Sequence, residues 1–287
     1  MSNRSKSLFI SAYLTLLALA AGHGLLGLWA EGPLSGWSGV ALATWPMVFF
    51  FLRLFLSDVA RTSANLAGYQ AAAWAGTALT LALGWSGEML MLQLGYSALI
   101  GGVGVAIYVY WYSRFQRDTR TGLLQVGERL PAFTLQDEDG HGVSSSEFLG
   151  QPALLIFYRG NWCPLCMAQI KEVAGQYQAL AELGVTVALI SPQPHDNTRS
   201  LAAKFQVPFR FLVDADNRAA QALGIDAENG LPKGLEALGY DSDTVMPTVL
   251  ITDAQGTILF ADLTDNYRVR PEPETFVEVL RAHGVSA

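Results

Sequence analysis

Between residues 8 and 112 the chain carries four apolar stretches, 8–30, 39–56, 66–85 and 89–112. Each is close to the roughly 20 residues that a helix needs to cross a bilayer. No other feature restricts the fold as strongly, because backbone in hydrocarbon must satisfy its own N–H and C=O groups, which helices and closed barrels alone achieve. Connections as short as Glu31–Ser38 make neighbouring helices antiparallel. The expectation for 1–113 is therefore an all-α, four-helix transmembrane region held in the lipid bilayer. Small residues recur where helices could pack closely, notably Ala71, Ala72 and Ala73, and Gly101, Gly102 and Gly104. A cleaved signal peptide is the competing reading of the first stretch. Arg4 and Lys6 precede it and Ala18-Leu19-Ala20 resembles a cleavage site, but apolar sequence runs on to Ala30.

The character of the chain changes near residue 120. Residues 1–122 hold 7 Lys+Arg and 4 Asp+Glu, against 11 and 21 in the remainder, so the total of −7 divides into +3 and −10. An acidic, soluble domain over 123–287 follows the apolar region through a basic juxtamembrane linker at 114–122. No basic tract with interleaved aromatics occurs, which argues against nucleic acid as a partner. Arg4 and Lys6, Arg53 and Arg61, and Arg114, Arg117 and Arg120 all fall on one side of the expected spans, whereas the first and third connections carry no Lys or Arg. The positive-inside rule then puts both termini and the second domain in the cytoplasm, at the inner (cell) membrane. His23 is the sole histidine of the first region. A haem or quinone ligand would be its functional role, and a packing hydrogen bond the structural one; bis-histidine haem lacks its second histidine. With no cysteine in 1–122, this region cannot relay electrons by thiol exchange.

Both cysteines lie in Phe157-Tyr-Arg-Gly-Asn-Trp-Cys-Pro-Leu-Cys166. The apolar run 153–157 reads as a buried strand. Cys166, Ile170, Val173, Tyr177 and Leu180 have helical spacing, predicting a helix over about 163–183. The pair thus sits at a helix start, where unpaired N–H groups and the positive dipole end favour a thiolate. Pro164 suits a first helical turn, and Arg159 is a nearby cation. A hairpin around Asp137–Gly140, strands at 185–190 and 209–213, helices at 196–206 and 218–223, a hairpin over 248–252 and 257–261, and a helix at 272–283 complete the pattern. Such alternation predicts a central mixed sheet covered on both faces. The stretch 226–245 is long and polar, and reads either as a lid or as an insertion without a role.

In this order of elements the domain resembles the thioredoxin fold. Pro131–Leu135, Tyr158–Cys166, Ile190–Gln193, Met246-Pro247-Thr248 and Tyr267–Pro273 resemble the peroxiredoxin-like proteins of the alkyl hydroperoxide reductase/thiol-specific antioxidant superfamily. The resemblance covers about 127–285. In that superfamily a Pro-x-x-x-Thr-x-x-Cys signature and a distant arginine orient the peroxide. Here Arg159 takes the proline position, Cys163 the threonine position and Cys166 that of the peroxidatic cysteine, while Met246 stands where the arginine is expected. Trp162, Cys163 and Cys166 followed by Pro247 resemble thioredoxin instead. There the proline bond is cis and the residue before it, here Met246, pairs with the substrate backbone.

The resemblance implies a thiol–disulfide oxidoreductase with Cys163 as nucleophile and Cys166 resolving, in an antioxidant or reductive role. The first alternative is a thiol peroxidase with Cys166 peroxidatic. The second is a non-catalytic membrane scaffold. Either enzymatic route uses the dithiol itself, with no other cofactor. The partners are a protein or small-molecule disulfide, or a peroxide, together with an external thiol reductant. A metal site is not expected, since His141, His195 and His283 lack ligand-like spacing and read as surface residues.

Overall fold

A computed structural model describes residues 3–115 and 122–285. The chain divides into two compact units, one chiefly from Ser5 to Arg114 and the other chiefly from Phe115 onward. Most of the expected linker, with Arg117 and Arg120, lies outside the described residues.

All four apolar stretches of the first unit are helical: α1 Asn3–Glu31, α2 Gly36–Leu56, α3 Ala67–Gly84 and α4 Leu90–Tyr112. Three of them, α1, α2 and α4, are long and apolar enough to cross a membrane. With 18 residues α3 is long enough but less apolar, carrying Gln70, Thr77 and Thr80, so the fourth expected span is the weakest. Helix α4 is not uniform: wider π-turns occupy Gly95–Val103 and Tyr108–Tyr112, with an α-helical turn between them. The glycines earn their place at the helix crossings. A Cβ on Gly39 would lie 2.3 Å from the Thr80 nitrogen, and one on Gly76 would lie 2.5 Å from the Ala43 nitrogen. Helices α2 and α3 therefore meet backbone to backbone. Gly104 admits the Tyr13 ring in the same way. His23 Nδ1 lies 3.0 Å from the Tyr96 hydroxyl, the packing contact expected of it, and Gln70 Nε2 donates to the Tyr110 hydroxyl.

The second unit is built on a seven-stranded sheet. Its strands are β1 Thr134–Gln136, β2 Gly142–Ser144, β3 Ala153–Phe157, β4 Thr186–Ser191, β5 Arg210–Val213, β8 Thr248–Thr252 and β9 Ile258–Asp262, in the order β2-β1-β5-β4-β3-β8-β9. Strands β3, β4 and β5 are parallel, and β8 runs antiparallel to β3 with Phe157 opposite Thr248. All five residues of β3 are buried, which explains its uninterrupted apolar sequence. Helices α5 Pro164–Gly175, α6 Tyr177–Glu182, α7 His195–Phe205, α8 Arg218–Ala222 and α9 Pro273–Ala282 complete the unit. The expected helix 163–183 is thus interrupted at Gln176, whose φ and ψ of −98° and 9° leave the helical region. The stretch 226–245 is not structureless: β6 Asp226–Ala227 pairs with β7 Thr244–Val245 and closes a loop between them. The result is the expected α/β thioredoxin-like fold, a mixed sheet flanked by helices and preceded by a helical region.

Candidate active site

The site forms where β3 stops and α5 begins. The Tyr158 N–H still donates to the Ile190 carbonyl, extending the β3–β4 register by one residue. The chain then turns at Gly160, whose φ of +141° no side-chain-bearing residue adopts readily. A Cβ there would also lie 2.6 Å from Trp162 Nε1. Cys163 is the extended residue just before α5, and Pro164 occupies the first helical position. The Cys163 carbonyl accepts from the Cys166 and Met167 N–H groups, so both sulfurs hang from one turn. The two Sγ atoms are 2.7 Å apart, and both cysteines are free thiols. Cys163 is 2% exposed and Cys166 not at all.

Sequence reasoning missed the principal cation. Arg270 Nη2 donates to Cys166 Sγ at 3.4 Å. Its Nη1 donates to Gln169 Oε1 at 2.6 Å, and its Nε to the Tyr267 carbonyl at 3.1 Å. Gln169 is three positions after Cys166 on the same helix face. The expected absence of a guanidinium at Met246 is therefore made good from a segment more than twenty residues later. The signal that could have found it is Tyr267-Arg268-Val269-Arg270-Pro271, which carries part of the family resemblance but whose arginines have no local chemical mark.

The two thiols titrate in opposite directions. Burial alone raises Cys166, but the hydrogen bond from Cys163, the Arg270 charge, the Arg159 backbone N–H and the Arg159 charge together bring it down to about 5. Burial raises Cys163 well above its ordinary value, and the neighbouring Cys166 sulfur adds to this; the two arginines oppose it only in part. These opposite directions favour a thiolate on Cys166 over one on Cys163.

Arg159 is buried, with its guanidinium 4.7 Å from the centre of the Trp162 ring and 5.8 Å from that of Tyr267. Behind the turn, Gln193 holds three partners: its Oε1 accepts from the Asn161 N–H, and its Nε2 donates to the Tyr158 and Thr198 hydroxyls. Pro247, Gln169 and Arg270 line one small cleft, with room for about one water-sized molecule. Two expectations at Met246 and Pro247 are corrected. Among the described residues no peptide bond is cis. The Met246 N–H is already engaged by the Ile225 carbonyl at 2.7 Å, because β7 leads straight into it, and is not free to pair with a substrate strand. Among the described residues no cluster of His, Cys, Asp and Glu could hold a metal ion.

The profile of the AhpC/TSA family matches residues 126–261. Peroxiredoxin Q, chloroplastic, from Sedum lineare is 30% identical over 124 residues, covering 43% of this chain and 67% of its own. Peroxiredoxin Q, chloroplastic, from Populus jackii is 31% identical over 102 residues, covering 36% and 48%. The chain thus spans about half to two thirds of the length of these curated relatives. Among solved structures, peroxidoxin BcpB from Mycobacterium tuberculosis superposes with a TM-score of 0.45 at 21% identity, over 55% of this chain and 97% of the other. The N-terminal helical region lies outside the family match. Through its C-terminal domain, the chain belongs to the AhpC/TSA family of peroxiredoxin-like proteins.

Proposed function

We propose that this protein is a membrane-attached thiol peroxidase in which Cys166 is the peroxidatic cysteine and Cys163 resolves. One observation carries this reading: a buried guanidinium, Arg270, bonded to Cys166 Sγ, with a second thiol in contact with the same sulfur. The Cys166 thiolate attacks one oxygen of a peroxide ROOH, and the O–O bond breaks. The departing RO⁻ takes a proton and leaves as ROH, and Cys166 becomes a sulfenic acid. Arg270 is placed to hold both the thiolate and the negative charge that develops on the oxygens. Cys163, kept protonated until this stage, attacks the sulfenic sulfur, and its proton leaves with the hydroxyl as water. The resulting Cys163–Cys166 disulfide is returned to two thiols by an external dithiol, which is itself oxidised.

Reduction of a substrate disulfide by Cys163 is less well supported, since burial and its sulfur neighbour hold that thiol protonated. The membrane region serves as an anchor through α1, α2 and α4. The Lys and Arg residues at one end of the spans support a cytoplasmic redox domain by the positive-inside rule. The test is rapid mixing of the reduced, purified full-length protein with hydrogen peroxide, followed by Trp fluorescence. Fast oxidation that vanishes in Cys166→Ser supports the reading. Slow oxidation in the parent protein, at a rate typical of a free thiol, would remove it.

A further inference from the structure

Peroxide is little larger than water, whereas the reductant that must finish the cycle is a thiol on a larger molecule. Both sulfurs are buried, so something must decide what reaches them. The segment between β6 and β7 is the element placed to do this. Its base is the β6–β7 ladder. Within the segment, the Leu231 N–H donates to the Ser242 carbonyl and the Asn229 N–H to Asp243 Oδ1, and buried Leu231 anchors it to the unit.

Two bonds from the segment and one from β7 at its base then reach the turn before Cys163. Arg159 Nη2 donates to the Gly230 carbonyl at 2.5 Å, and Thr244 Oγ1 donates to the Arg159 carbonyl at 3.0 Å. The Tyr240 hydroxyl donates to Asn161 Oδ1. Two of these ties differ in kind from the third. The Arg159 and Thr244 side chains are buried, and their bonds lie near the base. Tyr240 is the outermost tie, in the more exposed part of the segment, and grips the residue two positions before Cys163. Gly239, at φ +86°, and Gly234, at φ +106°, flank the outer part and give its backbone conformations closed to most residues.

We infer that residues 228–243 form a strap that sorts by size what reaches the sulfur pair, and that Tyr240 is the residue setting this selectivity. In the strapped state peroxide reaches Cys166, but a protein dithiol reaches the Cys163–Cys166 disulfide only after the Tyr240–Asn161 bond opens. This deepens the peroxidase reading and rests on it for the identity of the two reactants. The size filter itself is measurable without any peroxidase activity.

The experiment uses the full-length protein and Tyr240→Phe, which removes one hydroxyl and keeps the ring. A second variant replaces 232–241 by two glycines and leaves the β6–β7 ladder intact. The reduced proteins are alkylated with iodoacetamide and, separately, with a maleimide carrying a long polyethylene glycol chain. The oxidised proteins are reduced with dithiothreitol and, separately, with a purified thioredoxin. Tyr240→Phe is expected to speed the bulky reagent and the protein reductant several-fold while changing the small ones less than two-fold, and the shortened strap to do so more strongly. Equal acceleration of small and large reagents would overturn the inference, since it would mean general loosening of the site. Unchanged rates for both would overturn it as well. Slow reaction of the parent protein with peroxide, alongside intact size discrimination toward the alkylating agents, would remove the peroxidase reading and leave the filter standing.

Discussion

Replacing Arg270 by Met keeps a side chain of similar length and deletes its charge, and its effect on Cys166 can be worked from the geometry. The guanidinium nitrogen lies 3.4 Å from the sulfur. At an effective dielectric constant of about 20, unit charges that close interact by about 5 kcal/mol. The guanidinium charge is spread over several atoms, most of them farther away, so about 3 kcal/mol is a better figure for the pair. That corresponds to about two pKa units. The hydrogen bond from Cys163 and the Arg159 contributions remain. Cys166 should therefore titrate about two units higher in R270M than with Arg270 in place. The sign is that of a depressed thiol: the thiolate persists above the folded pKa and is lost as pH falls through it, so the parent keeps it down to about pH 5. The assay is ultraviolet thiolate absorbance against pH for Cys163→Ser with and without R270M; the Cys163 hydrogen bond is missing from both, so the shift between the two, not either midpoint, reads the effect of Arg270. The second-order rate with hydrogen peroxide should fall by about 10²-fold or more, as when one donor to a developing oxyanion is removed. A titration midpoint that moves by less than half a unit would refute the assignment of the thiolate to Arg270.

Other consequences are open to measurement. Cys163→Ser should still consume about one equivalent of peroxide per chain but lose turnover with a dithiol, whereas Cys166→Ser should consume none; peroxide-electrode traces separate the two. Gly160→Ala should lower stability by about 1–3 kcal/mol, because the positive φ and the close Trp162 Nε1 both oppose a Cβ, and denaturant melts of the full chain would read it. In the helical unit, Gly39→Ala should cost about 1–3 kcal/mol by forcing α2 from α3, visible as a lower melting temperature in detergent, while Gly22→Ala, where nothing lies within 4 Å, should not. A reporter fused to the C-terminus should be active in the cytoplasm only; activity solely outside it would reverse the orientation.

How far these features can be read from residues alone differs between the two units. The strand before Cys163 and the helix after it were legible because five consecutive buried positions and a 4-3-4-3 apolar spacing leave few alternatives. The Asp137–Gly140 turn and the β8–β9 hairpin were legible from turn residues. The wide turns of α4 carry no such signature; the first of them includes Gly101 and Gly102, which pack against Ala43 and Trp74. At the site, proximity of Cys163 to Cys166 follows from spacing, but the choice between them does not. It depends on Arg270, 104 residues beyond Cys166, and a contact of that range has no local trace. Gln169 was closer to being readable, three positions from Cys166, yet its role exists only through Arg270. Tyr240, in a stretch without periodicity, was not readable either.

The central claim is that the second sulfur of the motif carries the reactive charge and meets the oxidant. It is tested most directly by treating the reduced Cys163→Ser and Cys166→Ser proteins with one equivalent of hydrogen peroxide in the presence of a sulfenic-acid trap, then locating the adduct by mass spectrometry. The account predicts a stoichiometric adduct at Cys166 in the first protein and none in the second. An adduct at Cys163 in the second, with the first inert, would contradict it.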